Sequence, residues 1–90
     1  MSAQVVNCRK KPIIVQALQW DGTNLEECKK FCGDTLKIEY PTLDNSVAFL
    51  KLNTLEGEEN VLMNAFIIRG VRGELYPCEE SIFRETYDIV

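Results

Sequence analysis

The sequence predicts a small α+β domain, built as a strongly curved, mostly antiparallel sheet or partly open barrel with two short helices. Its 90 residues, 46% of them hydrophobic, are enough for one core and too few for two. Several short segments alternate apolar and polar side chains with the period of a strand. Tight turns separate most of these segments, and only two stretches favour a helix.

Residues 1–8 are predicted to form a flexible arm, and residues 9–90 a single domain. The first element of that domain is Lys11–Trp20, which is apolar on both alternating faces and rich in β-branched residues. With Pro12 at its edge, this run predicts a largely buried strand.

The segment from Thr23 to Gly33 predicts the first helix. Thr23 and Glu26 have the spacing of a capping box, in which each side chain bonds a backbone amide of the first turn. Leu25, Cys28, Phe31 and Cys32 then follow at helical spacing, and Gly33 stands where a helix ends.

The rest of the chain predicts mainly strands. Alternation indicates strands at Thr35–Tyr40 and Val47–Leu55 around a polar loop, 41–46, with Ala48, Leu50 and Leu52 facing the core. A turn at Glu56-Gly57-Glu58 leads to a return strand, Asn60–Met63. A second hairpin is predicted from Phe66–Val71 and Glu74–Tyr76, with its turn at Arg72-Gly73. A helix that starts at Glu79-Glu80 should bury Ile82, Phe83 and Tyr87, and Asp88–Val90 is predicted to form a final strand.

Composition narrows the function classes. The net charge of −4 argues against a nucleic-acid binder, and the absence of histidine removes the commonest general base and metal ligand. Cys28 and Cys32 lack the usual spacing of zinc ligands, so core packing is favoured over metal binding for them. We therefore expect no enzyme, no metal and no cofactor. With no apolar run long enough for a membrane helix and no export signal, the expected location is the cytoplasm.

A ligand site is predicted from two basic clusters. Lys10 and Lys11 precede the first strand, which ends at Trp20, while Arg69 and Arg72 adjoin the hairpin that carries Tyr76. If these strands are neighbours, the cations and aromatic rings would hold a phosphate-containing small molecule. In the alternative interpretation, the basic residues pair with acids and the two aromatic residues fill the core.

Two motifs carry a family resemblance. They are W-x-G-x-N-x-x-E at Trp20–Glu27 and G-V-x-G-E-x-Y-P-C at Gly70–Cys78. Together with residues 9–20, 24–33, 54–57, 67–78, 82–83 and 86–87, they make the chain similar to a family of small uncharacterised proteins from tailed bacteriophages and prophages. The resemblance covers nearly the whole chain except residues 1–8 and 41–46. Members commonly carry Gly-Asp where this chain has Asn64-Ala65.

The resemblance implies a phage protein that acts in the host bacterial cytoplasm. It favours a non-enzymatic binding protein that antagonises host defence by sequestering a nucleotide-type signal. The alternatives are an inhibitor that meets a host protein through acidic residues around 56–59 and 79–80, or a minor virion or assembly protein. A domain this small also gains stability from self-association, so a homo-oligomer is expected.

Overall fold

The computed structural model describes residues 3–90 and confirms the predicted α+β class. Met1 and Ser2, which begin the predicted arm, lie outside the described residues. In the described range the order β-α-β-β-β-β-β-α is also confirmed, and a 3-10 turn at Gly33–Thr35 follows the first helix. The element bounds are β1 Gln16–Gln19, α1 Leu25–Cys32, β2 Leu36–Glu39, β3 Phe49–Thr54, β4 Gly57–Val61, β5 Phe66–Arg69, β6 Leu75–Cys78 and α2 Glu80–Thr86.

The strands form two antiparallel sheets that do not close into a barrel, in keeping with the partly open form of the prediction. Sheet 1 has the strand order β1-β5-β6, and sheet 2 has the order β2-β3-β4. In sheet 1, Gln16 pairs with Arg69 and Phe66 pairs with Cys78. In sheet 2, a two-residue turn closes the β3–β4 hairpin at the pair Thr54 and Gly57.

Strand β5 is buried on both faces, so it separates two apolar clusters. Ile67 faces the larger cluster, which joins the two sheets and α1. Phe66 and Ile68 face the smaller cluster, beneath α2. The larger cluster also takes Cys28 and Cys32, which confirms the predicted core packing of these thiols. The buried members of the larger cluster are Trp20, Cys28, Cys32, Leu50, Leu52, Val61, Ala65, Ile67 and Leu75.

The first strand is much shorter than predicted. Ordered pairing begins only at Gln16, because its partner Arg69 is the last residue of β5 and the chain turns away at Gly70. Residues before Gln16 therefore have no facing strand among those described, and Ile14 is 80% exposed. The prediction of a largely buried strand from Lys11 was wrong in this part.

The predicted capping box does not form. Asp21 Oδ1 accepts hydrogen bonds from both the backbone N–H of Thr23, at 2.8 Å, and its hydroxyl, at 2.7 Å. The helix begins one residue later than that pattern requires, with Asn24 at the cap position. Asn24 Nδ2 donates to the carbonyl of Gln19 at 2.8 Å, which ties the start of α1 to the end of β1. The predicted end of the helix is confirmed at Gly33, whose φ of 61° favours glycine.

Three further boundaries differ from the prediction. Strand β4 starts at Gly57 and not at Asn60, because the turn is made by Leu55 and Glu56. Helix α2 buries Phe83 and half-buries Tyr87 as predicted, but Ile82 points outward and is 50% exposed. No strand forms at 88–90 in the described structure.

Asn64 occupies a backbone position that favours glycine. Asn64 has a φ of 68°, and its N–H donates to the carbonyl of Trp20 at 2.8 Å. Asparagine is one of the few other residues that tolerates this conformation. The turn before β5 therefore forms with asparagine at this position.

Alkaline pH should destabilise the larger core. Burial raises the pKa of Cys28 and of Cys32 from 9.0 to about 11. Because the folded pKa values are raised, their contribution to stability is fully present below pH 9 and is lost as pH rises towards about 11. We expect the melting temperature to fall over this window more steeply than in a Cys28→Ala/Cys32→Ala variant. Equal pH slopes in thermal melts of the two proteins would contradict this account.

Candidate functional site

A groove beside α2 contains two of the predicted ligand residues. Its volume is about 620 Å³, within the usual range for small-molecule sites. We call it the lysine groove, after Lys10 and Lys11. Its full lining is Lys10, Lys11, Pro12, Ile13, Ile14, Val15, Ala17, Phe66, Phe83, Thr86, Tyr87, Asp88, Ile89 and Val90.

Three aromatic rings form a stack along the floor of the lysine groove. The rings of Phe66 and Phe83 lie 3.7 Å apart between centroids, with planes 12° apart. Tyr87 continues the stack at 5.1 Å from Phe83 and 21° between planes. Phe83 lies on α2, and Tyr87 follows the last residue of the helix, where its backbone N–H donates to the carbonyl of Phe83 at 2.8 Å. Phe66 and Phe83 are buried, and Tyr87 is the half-buried end of the stack.

Cations lie over the rings at both ends of this stack. The Lys10 ammonium is 5.3 Å from the centroid of Tyr87, and the Arg84 guanidinium is 5.6 Å from that of Phe66. Lys11 also lines the groove, whereas Asp88 is its one acidic side chain. The charged side chains of the lining therefore leave one net positive charge in an acidic protein. This arrangement suits a ligand that joins an anionic group to a flat ring.

Helix α2 is fixed in place by polar contacts at its start. Gln19 Nε2 donates to Glu80 Oε2 at 2.8 Å, and Arg84 forms an ion pair with the same carboxylate at 3.3 Å. The Gln19 bond and then the Arg84 bond hold the pKa of Glu80 below its usual range. The contact joins α2 to β1, so the two walls of the groove stay aligned.

Tyr76 reaches the lysine groove only indirectly. Its hydroxyl lies 3.4 Å from that of Tyr87, and both rings pack against the cluster under α2. Burial first, and then the Tyr87 hydrogen bond, raise the pKa of Tyr76 to about 12. Tyr76 therefore keeps its proton at neutral pH and orients Tyr87 as a neutral hydrogen-bonding partner.

Arg69 lies on the opposite face of sheet 1 from the lysine groove. Its guanidinium donates to Gln16 Oε1 at 2.6 Å and to the backbone carbonyl of Phe31, and it stacks on the Phe31 ring at 4.2 Å. These contacts join β5 to β1 and to the end of α1. Arg69 is positioned as a brace between elements, with one hydrogen bond from each terminal nitrogen of its guanidinium.

The other two predicted residues also lie outside the lysine groove. Trp20 is 3% exposed in the larger core, where a ligand cannot stack on it. Arg72 is exposed at the tip of the β5–β6 hairpin, where its backbone N–H donates to Glu74 Oε2 at 2.9 Å. The structure thus joins Lys10 and Lys11 to Tyr76 through Tyr87, but it does not bring Arg69 or Trp20 to the same surface.

The sequence does not place Phe66, Phe83 and Tyr87 in the predicted ligand site, although all three line the lysine groove. Its patterns predict the buried face of a helix for Phe83 and Tyr87, and a strand for Phe66. The signal that points to the ring stack is the four-residue spacing of Phe83 and Tyr87. At that spacing their rings stack, and a half-buried ring at the end of the stack remains open to a ligand.

A second, smaller cavity has the opposite character. It measures about 280 Å³ and lies between the β3–β4 turn and β6. Three carboxylates line it, those of Glu56, Glu59 and Glu74, with no basic residue among the lining. We call it the acidic hollow.

Replacing Arg69 with glutamate should destabilise the fold. The change removes the bonds to Gln16 and Phe31 and leaves a negative charge beside the Phe31 carbonyl, so we expect a loss of about 1–3 kcal/mol in the free energy of unfolding. Urea denaturation measures it. Arg72→Glu is the matched control, expected within about 0.5 kcal/mol of wild type. Equal losses in the two variants would show that Arg69 is not a brace.

Comparisons with known proteins give no further constraint on this site. No family model, curated protein or solved structure matches the chain. Within residues 3–90 there is no group of three or more potential metal-binding side chains, and no helix that combines the length and apolar character needed to cross a bilayer.

Proposed function

We propose that this protein is a non-enzymatic binding protein that holds a nucleotide-type ligand in the lysine groove. The observation that carries the proposal is the placement of Lys10 and Lys11 beside the end of the Phe66–Phe83–Tyr87 stack. An aromatic base would extend the stack, while the two ammonium groups would bind phosphate oxygens. Apolar side chains such as Val15 would exclude water around the base.

Lys10 has a specific part in this proposal. In the ligand-free protein its ammonium lies over the Tyr87 ring. A cation–π contact at an exposed site contributes only about 0.5–1 kcal/mol, less than a charge-assisted bond to phosphate. An arriving phosphate would therefore draw the ammonium away from the ring and leave Tyr87 open for the base.

The resemblance to phage proteins supports a biological setting for this binding. A small protein that binds a nucleotide without transforming it can lower the free concentration of that nucleotide. We propose that the ligand is a signal of host defence and that the protein sequesters it during infection.

Nuclear magnetic resonance with isotope-labelled protein tests the site. Adenosine monophosphate, adenosine diphosphate and a cyclic dinucleotide are titrated in turn. Adenosine, which has the base but no phosphate, and inorganic phosphate, which has no base, are the controls. We expect at least one nucleotide to shift the amide signals of Lys10, Lys11 and Tyr87 at lower concentration than either control. No shifts with any nucleotide, or shifts confined to other surfaces, would refute the site.

The acidic hollow supports a second candidate function, inhibition of a basic host protein. Glu56, Glu59 and Glu74 surround it, and the fully exposed side chain of Leu55 lies at its rim. A protruding lysine or arginine of a partner would fit such a site. A pull-down that captures one host protein at low salt would favour this candidate over the nucleotide. The binding should disappear at high salt and in the Glu56→Lys/Glu59→Lys variant.

A further inference from the structure

The lysine groove contains one acidic side chain that contacts to phosphate would leave unused. Asp88 lines the groove together with Lys10 and Lys11, and it is exposed to solvent. Among residues 3–90 its carboxylate takes part in no ion pair, although two lysines line the same groove. A carboxylate accepts hydrogen bonds and repels a phosphate. Its suitable partners in a bound nucleotide are therefore the N–H groups of the base.

The backbone places Asp88 beside the ring on which the base would stack. Asp88 directly follows Tyr87, the half-buried end of the ring stack. Tyr87 has an extended backbone, with φ −121° and ψ 144°. Successive side chains of an extended backbone point to opposite sides, so the Asp88 side chain does not follow the Tyr87 ring into the stack. A base stacked on the ring face would meet a group in this position with its edge.

We propose that Asp88 is a specificity residue that selects guanine over adenine nucleotides, which rests on the nucleotide site proposed above. Guanine presents two adjacent donors on one edge, its N1–H and its C2 amino group, and the two oxygens of a carboxylate can accept both. Adenine presents only one amino group on the corresponding edge. Its N1 is an acceptor, and the N1 lone pair would face the second carboxylate oxygen. Paired, charge-assisted bonds of the guanine kind are the stronger and more selective arrangement.

The other contacts of the lysine groove are common to all nucleotides. Lys10 and Lys11 would bind the phosphate of either purine nucleotide, and Tyr87 would stack on either base. Adenine nucleotides would therefore occupy the same groove with lower affinity. The ratio of the two affinities isolates the part that Asp88 plays, because the phosphate and stacking contributions cancel in it.

Calorimetric titration of the full chain with three nucleoside monophosphates tests the proposal. We expect guanosine monophosphate to bind roughly tenfold or more tightly than adenosine monophosphate. Inosine monophosphate keeps the N1–H but lacks the C2 amino group, so its affinity should lie between the two. Equal affinities for the guanine and adenine nucleotides would overturn the role of Asp88 and leave the nucleotide site standing. Absence of binding by all three would overturn both.

Asp88→Asn tests the residue itself. The variant keeps the shape of the side chain but has one acceptor oxygen, and its amide N–H can donate to N1 of adenine. We expect the affinity ratio of the guanine to the adenine nucleotide to fall to within about threefold of unity. Glu85→Gln is the matched control, since Glu85 is an exposed acid of α2 outside the groove lining and its loss changes the net charge equally. An unchanged ratio in Asp88→Asn, or an equal fall of the ratio in Glu85→Gln, would overturn the proposal.

Discussion

Replacing Leu52 with alanine should lower the free energy of unfolding by about 2–5 kcal/mol. Leu52 is 0% exposed in β3, the central strand of sheet 2. Its side chain lies in the cluster that joins the two sheets and α1, and the backbone around it is held on both sides, opposite Leu36 and Glu59. Neighbouring strands cannot collapse into the cavity without breaking these pairs.

This loss is a large fraction of the stability expected for so small a domain, roughly 5–10 kcal/mol. Urea denaturation followed by tryptophan fluorescence suits the measurement, because Trp20 lies in the same cluster. Leu55→Ala is the matched control, since Leu55 is exposed on the next turn and should change stability by less than about 0.5 kcal/mol. A loss below about 1 kcal/mol in Leu52→Ala would mean that the two sheets do not share one core.

Reversing the charge of both lysines in the groove should abolish nucleotide binding. Each charge-assisted bond to phosphate contributes about 1.5–3 kcal/mol, so loss of both in Lys10→Glu/Lys11→Glu should weaken affinity by roughly a hundredfold or more. The new carboxylates would also repel the phosphate. Isothermal titration calorimetry with adenosine diphosphate, or with the tightest nucleotide of the panel above, measures the change.

A second pair of adjacent lysines gives a matched control. Lys29 and Lys30 are exposed on α1, on the other side of sheet 1 from the groove. Lys29→Glu/Lys30→Glu changes the net charge by the same amount and removes one surface ion pair, that of Lys29 with Glu26. We expect its affinity to stay within about threefold of wild type. Equal losses in both double variants would mean that overall charge, and not the groove, governs binding.

Local sequence signals were sufficient for most elements of the fold. Helix α1 ends at Gly33, and the β5–β6 hairpin turns around Gly73, as their residue types predict. The errors arose where a distant partner decides the outcome. The apolar run before Gln16 reads as a strand, but β5 ends at Arg69 and supplies no further partner. Likewise, the sequence predicts a capping role for Thr23, but in the structure its N–H and hydroxyl donate to the Asp21 carboxylate, a contact that depends on the turn geometry.

The candidate site was predictable only in part, because its residues are divided between the two faces of sheet 1. The sequence groups Lys10 and Lys11 with Trp20 and Tyr76, whereas in the structure Lys10 lies over Tyr87, and Tyr76 contacts Tyr87. Trp20 is buried in the larger core. The sequence could not show that Arg69 and Tyr76 point to opposite faces, since this depends on their positions in the β5–β6 register. Arg69 pairs with Leu75, which belongs to the larger core, while Tyr76 pairs with Ile68 beneath α2.

Native mass spectrometry of protein produced in bacteria and purified gently, without added ligand, is the most direct test of the binding proposal. We expect wild-type protein to retain a phosphate-containing small molecule, and Lys10→Glu/Lys11→Glu, purified in parallel, to have lost it. The same spectra report whether the chain is a dimer. The binding proposal would be contradicted by a wild-type spectrum that shows no bound small molecule. It would also be contradicted if the double variant retained the same small molecule to the same extent.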